Sequence, residues 1–127
     1  MRTLSDHIVS GDQAIQLKIE VTDEPGAGGA NHEYVISYPL FPLRPSSTAP
    51  AHLIRFQNGP IKEAGVNGIT NEALLAIVID RLRGFQSGPF SCRENAIALT
   101  KGEEMLMWLQ RRTVARIKRG IEGTHEK

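Results

Sequence analysis

The fold is decided by residues 71–119, whose sequence is NEALLAIVIDRLRGFQSGPFSCRENAIALTKGEEMLMWLQRRTVARIKR. Thr70 or Asn71 can cap a helix that starts here. Large apolar side chains then recur at the three- and four-residue spacing of an amphipathic helix; they are Leu74, Leu75, Val78, Leu82 and Phe85. The pattern predicts a first helix over residues 71–85.

A second helix is predicted after the chain breaks at Gly84, Gly88 and Pro89. Residues 91–94, Ser-Cys-Arg-Glu, match a capping box. In such a box the serine oxygen accepts a hydrogen bond from the amide three residues later, and the glutamate reaches back. From there a long helix is expected to run to about Arg119. It would be about 40 Å long.

The long helix has an apolar stripe that includes Ala98, Leu99, Met105, Leu106 and Leu109. Gly102 interrupts this stripe. A glycine inside a helix lowers its stability by about 1 kcal/mol relative to alanine, and we expect another helix to come close there. The short preceding loop makes the two helices an antiparallel hairpin. Because the longer helix overhangs the shorter one, the hairpin needs a partner to cover it. We therefore expect a homo-oligomer.

The first half of the chain predicts strands. Residues 15–22 alternate apolar and polar side chains with period two, as a half-buried strand does. Further strand candidates are residues 33–38 and 52–57. The predicted fold is therefore α+β, with a small N-terminal antiparallel β-sheet (residues 1–58) followed by a C-terminal antiparallel helical hairpin (residues 59–127).

Composition excludes several classes of protein. The 127 residues carry 15 Lys and Arg against 14 Asp and Glu, and a formal net charge of +1 excludes a generally polycationic nucleic-acid coat. Cys92 is the only cysteine, which excludes an intramolecular disulfide and a thiolate metal cluster. The longest apolar run, residues 73–79, is too short to span a bilayer, and the first residues lack an apolar signal core. We expect a cytoplasmic protein without a membrane partner.

Five positive charges lie within nine residues at the end of the long helix: Arg111, Arg112, Arg116, Lys118 and Arg119. Arg112 and Arg116 are four residues apart and share a helix face. Two guanidinium groups held side by side suit phosphate oxygens, which they grip through paired hydrogen bonds. The alternative is a solvated basic helix end that only favours the C-terminal dipole.

An aromatic ring and an amide flank the predicted loop between the helices. The ring of Phe85 can stack on a nucleobase, and the amide of Asn95 can read a base edge or a ribose hydroxyl. The alternative is that Phe85 ends the core of its helix and Asn95 is an ordinary polar residue of the first turn.

Catalytic chemistry is not indicated. The histidines, His7, His32, His52 and His125, are scattered, and no pair has the spacing of metal ligands on a helix. No histidine lies close in sequence to Cys92 that could act as its base.

Several long motifs carry a resemblance to a known family. Residues 56–63 are FQNGPIKE and lead to GVNG at 65–68; residues 71–82 are NEALLAIVIDRL; residues 85–96 are FQSGPFSCRENA; MWL at 107–109 and RGIEGT at 119–124 close the match. Over about residues 54–125 the chain resembles the helical-hairpin family of phage anti-defence sponges, whose members counter Thoeris and CBASS immunity.

The resemblance implies a protein that binds a cyclic nucleotide second messenger, leaves it intact and so starves a host immune effector. The implied ligands are cyclic ADP-ribose isomers, in particular the glycocyclic form, and cyclic di- or trinucleotides. The implied pocket residues are Phe85, Asn95, Arg112 and Arg116, and a second ligand site is implied at Lys62 and Arg93. No cofactor, metal or catalytic residue is implied. The resemblance also implies a dimer or a hexamer in the cytoplasm of the bacterial host.

The spacing of these residues adds a constraint. Asn95 and Arg116 are 21 residues apart on one predicted helix, about 30 Å along its axis. No small nucleotide spans that distance. A ligand that touches all the pocket residues would therefore lie between Asn95 of one subunit and the arginines of another, which links binding to oligomerisation.

Other functions remain open. The same basic helix ends could serve an oligomeric nucleic-acid-binding protein, whose affinity would fall steeply with added salt. An enzyme that cleaves the messenger would turn its ligand over. In an unrelated structural module, Met105, Met107 and Trp108 would be simple core residues.

Overall fold

The computed structural model of the protein describes residues 1–9, 17–38 and 50–124. The chain divides into two compact units. The sheet unit consists of Met1–Gly59 with Val66–Gly68, and the hairpin unit consists of Pro60–Gly65 with Ile69–Lys127.

Among the described residues, the sheet unit forms a four-stranded antiparallel sheet in which strands adjacent in sequence are adjacent in space. Its strands are β1 (Arg2–Leu4), β2 (Lys18–Val21), β3 (Glu33–Ser37) and β4 (Ala51–Arg55). Val21 is 1% exposed and is the deepest side chain of the sheet. The predicted α+β class with an N-terminal antiparallel sheet is confirmed.

The strand β1 was not predicted from the sequence. Three residues are too few to show a period of two, and β1 is defined instead by its pairing, with Arg2 opposite Val21. The guanidinium of Arg2 also donates to Oδ1 of Asn31 at 2.8 Å. Of the predicted strand 15–22, residues 15 and 16 lie outside the described residues.

A polar cluster ties the ends of three strands together around Glu33. Its carboxylate accepts hydrogen bonds from the hydroxyl of Thr22 (2.7 Å) and from Nε of Arg55 (3.1 Å). The Thr22 bond is the largest cause that lowers the pKa of Glu33 below its ordinary value of 4.5, and the Arg55 bond is the next. The folded sheet therefore favours the ionised form of Glu33.

The stabilisation by Glu33 should be lost in acid. A carboxyl whose pKa is lowered by folding stabilises the folded state above its unfolded-state pKa and loses that effect as pH falls through its folded-state pKa. We expect Glu33→Gln to melt at a lower temperature than wild type at neutral pH, and this gap to close as the pH falls below 4.5. Melting curves followed by circular dichroism measure the gap, with Glu24→Gln as a control outside the cluster. A gap that stays constant in acid would contradict the prediction.

The hairpin unit contains a short helix α1 (Ile61–Ala64) and two longer helices, α2 (Asn71–Gln86) and α3 (Arg93–Lys118). Thr70 caps α2, because its hydroxyl oxygen accepts a hydrogen bond from the amide of Ala73 at 3.0 Å. The helix α3 is continuous over 26 residues. The predicted hairpin with one long helix is confirmed.

The capping box predicted at residues 91–94 is wrong. The cap of α3 is Cys92, whose Sγ accepts a hydrogen bond from the amide of Asn95 at 3.4 Å. The physical reason is a tether from the end of α2. The side-chain oxygen of Gln86 accepts a hydrogen bond from the amide of Cys92 at 3.1 Å, which holds Cys92 at the start of the helix.

The helices α2 and α3 meet along a narrow seam. Its positions on α3 alternate at four- and three-residue intervals, as in a coiled coil; they are Asn95, Leu99, Gly102, Leu106, Leu109, Thr113 and Arg116. On α2, Ile79 is the deepest position, at 1% exposed. The predicted apolar stripes were too wide, because Val78, Phe85, Ala98 and Met105 are exposed. Two helices alone cover only a narrow part of each other, so these side chains flank the seam.

Gly102 lies against α2, as the sequence predicted. A Cβ added there would stand 3.4 Å from Cγ1 of Ile79 and 4.0 Å from Cδ1 of Leu75. The space therefore admits a methyl group and nothing larger.

We expect Gly102→Leu to lower the free energy of unfolding by about 1–3 kcal/mol, because its side chain must displace Ile79. Gly102→Ala is the matched control. Its Cβ would lie at an ordinary contact distance from Ile79, and alanine favours the helix more than glycine does. This variant should therefore raise the unfolding free energy by up to about 1 kcal/mol. Urea denaturation measures both. Equal stability of the leucine variant and wild type would mean that the seam is not closely packed here.

Candidate ligand-binding surfaces

The predicted site residues lie in two groups at opposite ends of the hairpin. Phe85, Arg93 and Asn95 lie where α2 connects to α3, and we call this the turn end. Lys62, Arg112 and Arg116 lie at the other end, where α3 finishes, and we call this the open end. Because α3 is one continuous helix, its rise places Asn95 and Arg116 about 30 Å apart. A single chain therefore does not bring the predicted pocket residues together.

The turn end offers an aromatic surface. Phe85 is 38% exposed, so it is not the buried last residue of a core. The guanidinium carbon of Arg81 lies 5.0 Å from the ring centroid, a cation–π contact that occupies part of the ring. Asn95 lies in the first turn of α3 at the first seam position and is partly buried. Its backbone amide is used by the Cys92 cap, and its side chain lies at the end of the seam.

Arg93 is the first residue of α3 and is exposed. It lines a shallow surface cavity of about 370 Å³ together with Ala96, Ile97, Thr100 and Lys101. The ammonium of Lys101 lies 3.7 Å from a carboxylate oxygen of Glu104. The cavity has a cation at each end and an apolar floor.

The open end holds its two arginines differently. Arg112 is exposed, whereas Arg116 is only 6% exposed. The Nη2 of Arg116 donates to the carbonyl oxygens of Ile121 (3.0 Å) and Thr124 (2.8 Å). Its Nε lies 3.4 Å from a carboxylate oxygen of Glu122. The side-by-side presentation of two exposed guanidinium groups, which their spacing predicted, is therefore not what the structure shows.

Two features explain why Arg116 is buried. It occupies a seam position of α3, which turns it inward, but it lies beyond the point where α2 begins. The chain after α3 folds back as a turn, residues 121–124, and covers the guanidinium in place of a second helix. Sequence reasoning missed this turn. Its signal is the pair Gly120 and Gly123, both of which adopt the positive φ that favours glycine.

Lys62 reaches the open end through this turn. Its backbone amide donates to the carbonyl oxygen of Gly123 at 3.0 Å. Arg93 lies at the opposite end of α3. The two residues of the implied second site are therefore also separated within one chain.

Three more cations surround the open end. Arg111 lies over the ring of Trp108, with 5.3 Å between its guanidinium carbon and the ring centroid, and Lys118 and Arg119 are exposed. In the part of the chain that the structure describes, no helix is long and apolar enough to cross a membrane. The same residues contain no group of His, Cys, Asp and Glu side chains arranged to hold a metal ion.

Comparison with known proteins places the hairpin in a family. The sequence model of the Acb2/Tad1 hairpin domain matches residues 49–114, which is about half of the chain. The chain is also 60% identical over 74 residues to Thoeris anti-defense 1 of Bacillus phage SBSphiJ7. That match covers 58% of this chain and 52% of the phage protein, so it spans about half the length of this relative. The matched region covers α2 and α3 as far as Val114, so it includes Phe85, Asn95 and Arg112 but not Arg116. The chain therefore belongs to the Acb2/Tad1 hairpin-domain family.

Proposed function

We propose that this protein binds and sequesters cyclic nucleotide second messengers, of the glycocyclic ADP-ribose type or cyclic di- and trinucleotides, and does not cleave them. The observation that carries the proposal is the chemistry of the two hairpin ends. One end presents an exposed aromatic ring and a half-buried amide, and the other presents the exposed guanidinium of Arg112 next to the buried Arg116. These are the groups that a base and a phosphate require. The family membership and the anti-defence relative support the same function.

The pocket is proposed to form between protomers. Phe85 and Asn95 of one copy would meet the open end of another, where Arg112 is exposed and Arg116 holds the turn at residues 121–124, because α3 keeps the two ends about 30 Å apart. A second site that uses Lys62 and Arg93 would need two copies for the same reason.

Uncovered apolar side chains on α3 support self-association. Met105 and Trp108 flank the seam on the side of Arg112, and Trp108 is 61% exposed. Met107, Val114 and Ile117 are exposed on the other side. A second copy of the hairpin offers matching apolar flanks, and burying them would stabilise a dimer or a hexamer. Under this proposal, these residues would form an interface and bring the open end of one copy to the turn end of the next.

Sequestration requires tight binding in the compartment where the messenger acts. Nanomolar affinity corresponds to about −12 kcal/mol, which needs enclosure as well as charge. We propose that the protein acts in the cytoplasm of a bacterial host during phage infection or from a prophage. There it would hold the messenger away from its effector.

The proposal is tested by ligand retention. The purified protein is incubated with separate cyclic ADP-ribose isomers and cyclic di- and trinucleotides, free ligand is removed by filtration, and the protein is boiled. We expect an intact messenger to be released. A chemically altered product would make the protein an enzyme, and retention of no member of the panel would contradict the proposed function. Light scattering of the same sample reports whether a monomer or an oligomer retains the ligand.

Retention at raised salt separates an enclosed ligand from nucleic acid. A nucleic-acid binder loses affinity steeply as salt rises, because it releases many counterions. We expect the retained messenger to show a much weaker dependence than a single-stranded oligonucleotide bound to the same preparation. A steep dependence for both would favour binding at the exposed basic helix ends.

A further inference from the structure

The turn at the open end contains a glycine that packs against the side chain of Lys62. Gly123 has a φ of +83°, which strains any residue with a Cβ. A Cβ built on Gly123 would also stand 3.1 Å from Cγ of Lys62 and 3.4 Å from its Cδ and Cε. The aliphatic stem of Lys62 therefore runs across Gly123, and a Cβ at this position would push the stem aside by a few tenths of an ångström.

The same turn is fixed from the other side by Arg116. Its Nη2 holds the carbonyl oxygens on either side of Gly123, those of Ile121 and Thr124, at 3.0 and 2.8 Å. The carbonyl oxygen of Gly123 itself accepts the backbone amide of Lys62 at 3.0 Å. Hydrogen bonds therefore run from Arg116 through the turn to Lys62.

The turn brings a further cation to the end of the hairpin that carries Arg112. Arg112 lies one helical turn before Arg116 on the same helix, and Lys62 is anchored to the turn that Arg116 holds. The Lys62 side chain is exposed beyond the glycine that its stem crosses. Lys62 and Arg112 are thus two exposed cations at the same end of the hairpin.

We infer that Lys62 is a third cation of the phosphate-binding group at the open end, and that Gly123 is the residue that positions it. The ligand feature it would take is a pyrophosphate or a pair of phosphodiesters, which carries the two negative charges that several cations can share. This inference rests on the proposed function, and it assigns Lys62 to the arginines instead of to a site with Arg93.

A double-mutant cycle tests the assignment. Binding of glycocyclic ADP-ribose is titrated by calorimetry into wild type, Lys62→Ala, Gly123→Ala and the double variant. Lys62→Ala should weaken binding roughly tenfold, as loss of a charge-assisted contact does, and Gly123→Ala should weaken it by a similar factor. If Gly123 acts through Lys62, the double variant should bind no more weakly than Lys62→Ala alone. Losses that multiply in the double variant would overturn the positioning role.

Two further variants sharpen the test. Gly28→Ala is the matched control, because Gly28 has a φ of +74°, a Cβ there would meet nothing within 4 Å, and it belongs to the sheet unit instead of the turn that carries Gly123. It imposes the same kind of backbone strain without touching Lys62, so we expect affinity within about twofold of wild type. Lys62→Arg keeps the charge and should restore most of the affinity. A Lys62→Ala variant that keeps full affinity for glycocyclic ADP-ribose and loses a cyclic dinucleotide would overturn the assignment in favour of a separate site.

A measurement without ligand separates this inference from the proposed function. Hydrogen exchange should show that the Lys62 amide is protected in wild type and in Gly28→Ala, and exposed in Gly123→Ala. Unchanged protection in Gly123→Ala would overturn the positioning role whatever the protein binds. If wild type retains no messenger, the proposed function fails and the Lys62 ligand role with it, while the exchange result still decides whether Gly123 positions Lys62.

Discussion

Arg112→Ala is expected to weaken binding of the retained messenger by about 30- to 150-fold, or about 2–3 kcal/mol, without lowering the melting temperature of the free protein. Arg112 is exposed on α3 and lies beside the seam, so its removal opens no cavity. What is lost is a planar group that can grip two phosphate oxygens at once. Calorimetric titration measures the affinity, and circular dichroism measures the melting temperature.

Arg111→Ala is the matched control for this prediction. Arg111 is the neighbouring residue and carries the same charge, but its guanidinium lies over the ring of Trp108. If the site depends on geometry, this variant should bind within a few-fold of wild type, since a remote surface charge contributes little. Equal losses in the two variants would mean that only net positive charge matters. Unchanged affinity for Arg112→Ala would place the phosphate site elsewhere.

Arg116→Ala is expected to reduce both affinity and stability. The side chain is buried, and removing it leaves the carbonyl oxygens of Ile121 and Thr124 and the carboxylate of Glu122 without their cation. We expect the free energy of unfolding to fall by about 2 kcal/mol, because buried acceptors lose charge-assisted bonds. Messenger affinity should fall by about 2–3 kcal/mol, through loss of the guanidinium and of the turn that it holds. Urea denaturation and calorimetry measure the two effects.

Arg116→Lys separates charge from geometry. Lysine keeps the charge but cannot hold two carbonyl oxygens from one planar fork. We expect it to recover part of the stability and little of the affinity. Hydrogen exchange at residues 121–124 should be faster in both variants than in wild type. Exchange that stays slow in Arg116→Ala would show that the turn forms without the arginine.

Much of the hairpin could be predicted from its sequence because local signals agree there. The periodicity of residues 71–85 and the Thr70 cap reflect interactions within one or two helical turns, and a glycine inside a helix is itself a sign of a close neighbour. The strand β1 could not be predicted, since it is defined by pairing with a distant strand. The cap of α3 was misplaced by one residue because the contact that selects Cys92 comes from Gln86 on the other helix.

The candidate site shows the same limit more sharply. The spacing of Arg112 and Arg116 correctly places them on one continuous helix, but it cannot show which one is buried. The burial of Arg116 depends on residues 121–124 folding back over it, and the sequence signals of this turn are the glycines at 120 and 123. Likewise the motif around Lys62 gives no sign that its stem crosses Gly123, because the two positions are far apart in sequence. The residue types therefore predicted which groups could bind a base or a phosphate, but contacts between distant parts of the sequence determine where those groups lie.

The seam of α3 repeats every seven residues, so the length of the hairpin is counted in whole repeats. Asn95 and Arg116 occupy equivalent seam positions three repeats apart, at opposite ends of α3. Adding one full repeat to both helices would lengthen the hairpin by about 10 Å and leave both residues facing inward. A single inserted residue would rotate everything after it by about 100° and turn Arg116 away from the chain that covers it. Natural or designed length variants of this hairpin should therefore keep their two ends in phase only when they differ by whole repeats.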